Sequence, residues 1–446
     1  MDPDRIRGKV RCFWPIVTTV TLAACLSACA SSLPSIPNPF ADKEEKLPGQ
    51  RIPVLTNQDL NAPDPALAGR PAPLPGAVAN AAWTEPGGNP SNSLGHLAFG
   101  DRVTPVWRVD IGTGSSWRGR LSAVPLVAGG KVYTLDAAGT VSAFSAANGG
   151  RVWATRVTPE NEKSAEGFGG GLAMDGNRLY AVTGYGTVVG LNPESGALLW
   201  SQRIGEPVRS APTAAGGKIY FVSTDSVLHC LDGAEGQELW KGRGVPQPAT
   251  LLSNVSPAVG QGIVVAAFPA GDLVAYQAGG GQPVWRESLA RSGETTASGI
   301  LADPARPVID RGVVFGVSHG GKMIAVAEST GERLWTRSVT STQMPWVAGE
   351  TVYAVDVSAK LMALSRSDGK VRWVSELPGG GRWNGPVLAG GRLWLVSQQG
   401  ALASVDAQTG QVLGTTDLGE KVYITPVVAG GRMYILADDA TLIALN

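Results

Sequence analysis

The side chains best suited to chemistry in this 446-residue chain are few and scattered. His96, His229 and His319 stand far apart, and none has a cysteine at the short spacing a zinc site uses. The stretch "GVSHGGKM" (316–323) spells the G-x-x-x-x-G-K of a phosphate-binding loop, but Met323 stands where Ser or Thr would hold magnesium. Its apolar flanks read as strands, so a hairpin turn accounts for it better than a strand–loop–helix nucleotide site. "GFGGG" (167–171) reads in the same way, as a flexible connection. Spacing alone leaves a Ser–His–acid relay open. Carboxylates are scattered through turns, where they are expected as surface residues. Acidic and basic residues balance at 37 each, which gives no basic face for nucleic acid. No metal or cofactor set emerges from these residues.

The beginning of the chain carries a different kind of chemistry. Arg5, Arg7, Lys9 and Arg11 precede an apolar stretch at 12–26 that is too short to span a bilayer. This is the pattern of a secretory signal peptide, assigned to residues 1–28. It ends in Leu26, Ser27, Ala28 and Cys29, which resembles a bacterial lipobox, where the cysteine is acylated and becomes the first mature residue. Cys29 is therefore the expected lipid attachment, the alternative being an ordinary cleavage site between small residues. Ala30 is a non-Asp residue, which that pattern reads as an outer-membrane address. Cys12 and Cys25 leave with the signal, so Cys230 is left without a disulfide partner. Set in the apolar "VLHCLD", it reads as a buried, inert thiol.

Positioning elements come next. Residues 29–100 are rich in Pro, Ala, Asn and Gly, and read as an extended tether behind the lipidated cysteine. Beyond about residue 101 the chain repeats itself. A Gly is followed four residues later by Trp at Gly149/Trp153, Gly196/Trp200, Gly236/Trp240, Gly281/Trp285, Gly331/Trp335 and Gly369/Trp373. A seventh Gly, Gly410, has Gly414 in the Trp position, and Trp107 stands before the series. Each unit opens with an apolar run, usually carrying a Pro and ending in Gly, as in "SAVPLVAGG" (122–130) and "ITPVVAGG" (424–431). Two more strands follow before the Gly turn and the Trp strand.

Four short strands per unit, with no sustained helical period, is the signature of a propeller blade. A Pro at the first strand suits an inner edge strand lining a channel, because proline cannot donate to a ladder. The last unit has three strands and then stops at Asn446. A spare Trp strand exists at the other end, "TPVWRVDI" (104–111). The expected fold is an all-β, eight-bladed β-propeller over 101–446, closed by pairing the N-terminal strand with the C-terminal blade.

The Gly-to-Trp repeat resembles the quinoprotein propellers, in which the Trp docks between adjacent blades. That resemblance implies the fold, while their usual adjacent Cys pair is missing here. Lipobox, tether and a single propeller together resemble the BamB family, lipoprotein subunits of the outer-membrane β-barrel assembly machinery. The resemblance implies a non-catalytic scaffold with no cofactor, lipid-anchored on the periplasmic face of the outer membrane. It implies docking on a periplasmic module of the barrel-forming subunit. Carried over by position, the docking loops are 247–257, with Leu251, Leu252 and Ser253, and 299–310, with Asp303 and Arg306. Ala305 stands where the family usually has a second Asp. Unfolded outer-membrane proteins are further candidate partners, and a quinone-dependent oxidoreductase or another lipoprotein binding module is the alternative function.

Overall fold

The computed structural model describes residues 61–446 apart from 102, 118, 160–161, 163–168, 247–254 and 291–302. Among these residues there are strands and no helix, arranged in eight four-stranded antiparallel sheets. Taken in chain order, blades one to eight begin with the inner strands Leu126–Ala128, Gly170–Asp175, Thr213–Ala215, Ala258–Val259, Val308–Asp310, Trp346–Ala348, Trp383–Ala389 and Val427–Ala429. The expected eight-bladed propeller is what forms.

Within a blade the burial pattern explains the composition. In blade two, Arg178–Thr183 and Thr187–Leu191 are buried on both faces, whereas the outer strand Leu198–Arg203 is mostly exposed. A sheet stacked between two neighbours hides both faces, so its middle strands are continuously apolar rather than alternating.

Ring closure follows the expected scheme. Pro105–Asp110 pairs antiparallel with Thr441–Leu445, with Trp107 opposite Ala444 and Asp110 opposite Thr441. Thr104 and Asn446 exchange backbone hydrogen bonds of 2.9 and 3.0 Å beyond the end of that ladder. Blade eight thus takes three strands from one end of the repeat region and one from the other.

The Gly and Trp of one repeat do not touch each other; each meets a partner in a neighbouring blade. The indole Nε1 of Trp153 donates to Pro193 O at 3.0 Å, and that of Trp200 to Gly233 O at 3.1 Å, both in the last turn of the following blade. The next three joints repeat the bond: Trp240 donates to Ala278 O at 3.3 Å, Trp285 to Glu328 O at 2.7 Å and Trp335 to Arg366 O at 2.8 Å. Each ring then lies on that turn's glycine. A Cβ added to Gly196 would fall 2.4 Å from the Trp153 ring. The same addition at Gly281 would meet Trp240 at 2.5 Å, at Gly331 Trp285 at 2.7 Å, and at Gly369 Trp335 at 2.8 Å. Trp373 keeps the ring contact, 2.5 Å from a Cβ on Gly410, but its indole makes no hydrogen bond, and Ala407 O accepts only from the Tyr353 hydroxyl, at 3.0 Å. Gly196 and Gly410 also sit at positive φ, +71° and +77°, so both space and backbone demand glycine there. Trp107 makes the same contact across the closing joint, with Gly149 and with Ala146 O at 3.2 Å. Gly414 now has a reason. It occupies the Trp position of blade seven, and the blade it faces has no third-to-fourth strand turn, because its outer strand is Pro105–Asp110.

One expectation needs correction. Residues 61–100, read as part of a tether, are extended but packed against the propeller. Residues 80–97 wind once round the lower mouth of the channel and meet the inner strand of every blade in order. Asn80 O accepts from Gly430 N, Trp83 exchanges two bonds with Val127, and Thr84 O accepts from Met174 N. Glu85 accepts from Ala214 N, and Pro90 O and Ser91 O accept from Val259 N and Ile309 N. Gly95 O accepts from Trp346 Nε1, and Leu97 bonds to Leu388 and Gly390. Trp83, 2% exposed, stacks on Trp346 from the far side, with ring centroids 6.2 Å apart. The composition misleads because a plug filling an irregular mouth needs no periodicity, only backbone groups that find partners.

Candidate functional site

With residues 80–97 wound round the lower mouth, the channel among the described residues forms a funnel toward the upper face, from which the chain runs into each inner strand. Its cavity is 560 Å³, and every blade contributes lining residues from just before or at the start of its inner strand. Among the described residues, Arg120, Arg209, Arg306 and Arg382 bring four positive charges, against two carboxylates, Asp303 and Asp356. Met344, Trp383 and Tyr423 supply apolar surface. The wall is braced: Gln343 Nε2 donates to Asn384 Oδ1 at 3.1 Å, and Asn384 Nδ2 to Val422 O at 3.4 Å, tying blades six, seven and eight together. At the rim the Arg120 guanidinium lies over the Tyr423 ring, 5.7 Å from its centroid. Three residues before Arg120, Trp117 is 88% exposed, and Ser116 and Gly119 are joined by backbone and side-chain hydrogen bonds.

Arg306 is the unusual member. Its Nε is sealed from solvent without a hydrogen-bond partner, and among the described residues no carboxylate pairs with it. Burial pushes its pKa down to about 10. Asp356 is occupied by its own turn, accepting from Ser358 N and Lys360 N.

The two docking positions that are described, Asp303 and Arg306, come together in this wall. Asp303 is 1% exposed, so it lies within the funnel wall rather than on an outer loop. Asp310 is at the opposite end of the same segment, accepting from Ser93 of the plug at 2.9 Å and pairing with Arg366 at 3.0 Å. Cys29, Leu251, Leu252 and Ser253 lie outside the described residues. The repeat tryptophans Trp107, Trp153, Trp200, Trp240, Trp285, Trp335 and Trp373 do not line the funnel; all seven stand on outer strands, at the joints between blades. They hold the ring and take no part in the site. Signals that could have marked the funnel are Arg120, Arg209, Arg306 and Arg382, each a few residues before an inner strand or at its start. They come from four different blades, and only ring geometry gathers them.

Other candidate chemistry resolves into structure. Ser318, within "GVSHGGKM", lies in a hairpin turn, is fully buried and donates to Leu289 O at 2.9 Å. Gly316 to Gly320 also spell G-x-S-x-G, but the elbow of that motif is a strand-to-helix turn with an exposed hydroxyl. A Ser–His–carboxylate relay does form: Ser223 Oγ is 3.0 Å from His229 Nε2, and His229 Nδ1 is 3.1 Å from Glu238 Oε2. Ser223 is 2% exposed, and its hydroxyl also bonds Asp225 and Val227 O, so it braces a turn and presents no nucleophile to solvent. Burial lowers the pKa of His229, and Phe221 stacks on its ring at 5.2 Å. Cys230 is buried and free, and burial pushes its thiol up to about 12, far from a reactive thiolate. No group of three or more His, Cys, Asp or Glu among the described residues is placed to hold a metal ion. The calcium that quinoprotein sites use needs six to eight oxygen ligands, and the two lining carboxylates do not make such a set.

Comparison with known proteins gives a consistent family. The sequence profile described as outer membrane protein assembly factor BamB matches residues 81–164, 137–375 and 372–446. A relative from Alkalilimnicola ehrlichii bearing that name is 30% identical over 355 residues, covering 79% of this chain and 91% of its own. The crystal structure of BamB from Moraxella catarrhalis superposes with a TM-score of 0.67 at 16% identity, over 77% of this chain and all of that one. Quinohemoprotein alcohol dehydrogenase from Comamonas testosteroni shares the fold, with a TM-score of 0.65 at 12% identity, over 83% of this chain and 81% of that one. Blade count, closing strand and a profile match that starts inside the plug agree: the chain belongs to the outer membrane protein assembly factor BamB family.

Proposed function

We propose that this protein is a non-catalytic scaffold subunit of the outer-membrane β-barrel assembly machinery. It is held at the periplasmic face of the outer membrane by lipid on Cys29 and docks through its upper face on the periplasmic part of the barrel-forming subunit. The observation that carries this reading is the family match, which spans plug and propeller from residue 81 to 446. Docking is assigned to Leu251, Leu252 and Ser253 together with the Asp303–Arg306 segment. A rigid ring suits the role because it fixes the relative positions of loops that are distant in sequence.

A second contact is assigned to unfolded client strands. Seven of the eight outer strands place an exposed aliphatic residue beside the Trp position: Val106, Val152, Leu199, Leu239, Val284, Leu334 and Leu413. Such edges can accept an added strand. The chain does something similar to itself at blade six, where Asp64 N donates to Val371 O of the outer strand at 2.9 Å.

Co-purification tests the scaffold role. Leu251→Asp with Leu252→Asp is expected to abolish recovery of the barrel-forming subunit while the circular dichroism spectrum stays unchanged; full recovery would refute the docking assignment. Crosslinkers at Arg203 on an outer edge are expected to trap client strands. The fold shared with quinohemoprotein alcohol dehydrogenase supports a second reading, a quinone-dependent oxidoreductase. A quinone absorbance band and dye reduction on adding the quinone and calcium would favour that reading.

A further inference from the structure

We propose that the arginine-lined funnel is a binding site for a carboxylate-bearing ligand inserted from the upper face, with Arg306 as its principal anchor. A desolvated cation without a counter-ion is costly to keep in a folded protein. Arg306 approaches this state: it is partly buried, its Nε is sealed from solvent without an acceptor, and among the described residues no carboxylate pairs with it. The guanidinium is a planar fork matched to a carboxylate. Arg209 and Arg382 line the same cavity, so an anion entering the funnel meets a field that favours it at several points.

The plug makes the site selective for ligands that arrive tip first. Trp83 stacks on Trp346 at the lower mouth, where residues 80–97 wind past the inner strands. A volume of 560 Å³ is within the range of ligand-binding cavities and holds a short stretch of peptide. Met344 and Trp383 give apolar contact beside the arginines, while the Arg120–Tyr423 pair lines the cavity nearer blade eight. Trp, Tyr and Arg are the residues that most often dominate binding energy at interfaces. The shared chemistry is the carboxylate; an acidic protein segment and a free polycarboxylate are its two sources. The site shares Arg306 with the segment assigned to docking, but the isolated chain binds or fails to bind the probes whether or not it joins an assembly machine.

Calorimetry and thermal shift on the purified full-length mature chain separate the cases, with a capped tetraglutamate peptide, its tetraglutamine counterpart and citrate as probes. Tetraglutamate is expected to bind and raise the melting temperature, tetraglutamine to do neither, and Arg306→Gln to weaken tetraglutamate at least tenfold. Citrate binding without peptide binding would keep the site and assign it to a small molecule. Equal binding of the two peptides, no binding of any probe, or full affinity in Arg306→Gln would overturn the proposal. Arg306→Met gives an independent readout: the ligand-free melting temperature is expected to hold or rise, and a marked fall would show that the guanidinium serves the fold.

Discussion

Trp107→Ala tests the closing joint directly. Trp107 belongs to the strand supplied by the N-terminal end of the propeller, and its indole donates to Ala146 O at 3.2 Å. Its ring lies against Gly149, where an added Cβ would come within 2.8 Å, and it packs on Tyr434 with centroids 6.0 Å apart. Truncating a buried Trp costs about 3–5 kcal/mol, and the partial exposure of Trp107 places it near the lower end, about 3 kcal/mol. That includes the lost hydrogen bond, worth about 1 kcal/mol. Trp153→Ala breaks the equivalent contact at an internal joint and is expected to cost about the same. Gly414→Trp is the converse. A Cβ there meets nothing within 4 Å, and the facing blade lacks the turn that would receive the ring, so the change is expected to stay within about 0.5 kcal/mol of neutral. Urea denaturation followed by far-ultraviolet circular dichroism reads all three. A Trp107→Ala loss under about 0.5 kcal/mol, with Trp153→Ala costly, would mean that the terminal strand is only loosely attached. A Gly414→Trp gain above about 1 kcal/mol would refute the docking rule.

Two further outcomes follow from the plug and the joints. Burial raises the pKa of the Glu85 carboxyl well above the usual range, against backbone hydrogen bonds from Ala214 and Met174 that lower it. The folded state therefore holds a proton that the unfolded chain releases near pH 4.3. Stability from this group is full below that pH and is lost as pH rises toward the folded pKa. Glu85→Gln is expected to match the parent melting temperature at pH 4 and exceed it at pH 8; a constant difference across that range would contradict a buried neutral carboxyl. Gly196→Ala places a methyl 2.4 Å from the Trp153 ring at φ +71°, whereas Gly216→Ala at φ +59° meets nothing within 4 Å. The first is expected to cost about 2–3 kcal/mol and the second about 1 kcal/mol, and equal costs in urea denaturation would show that the Trp contact contributes nothing.

The blade count and the closing strand were legible because both rest on spacing. A Gly, a Trp and an inner-strand Pro recurring in register need only be counted. Which Gly serves which Trp was not legible, since Gly196 meets Trp153 of the preceding blade and not Trp200 four residues away. The same offset holds at Trp240, Trp285 and Trp335, which meet Gly281, Gly331 and Gly369 of the blade that follows. The plug was missed for a physical reason. Trp83, Glu85 and Leu97 have no shared period, and each answers to a different blade. The funnel arginines are similarly invisible as a set, because residues 120, 209, 306 and 382 converge only when the ring closes.

One stretch of chain, residues 80–110, makes both seals, and this bears on how firmly the upper face is held. The ring's non-covalent seam runs through blade eight, between Pro105–Asp110 and Thr441–Leu445. The plug crosses the same seam at the inner edge: Asn80 bonds Gly430 N through its carbonyl and Val428 O through its side chain, and the chain then passes to Val127 of blade one. Arg432 of blade eight reaches Ala146 and Ala147 of blade one at the outer edge. Opening the seam therefore requires the outer ladder, the plug and the Arg432 contact to release together. Trp107→Ala removes the indole's contacts with Tyr434, Ala146 and Gly149 and leaves these three attachments in place, which is why its expected cost is that of a single side chain and not of a broken ring. The same redundancy keeps the inner strands of the eight blades at fixed separations, a requirement for any partner that reads several blades at once.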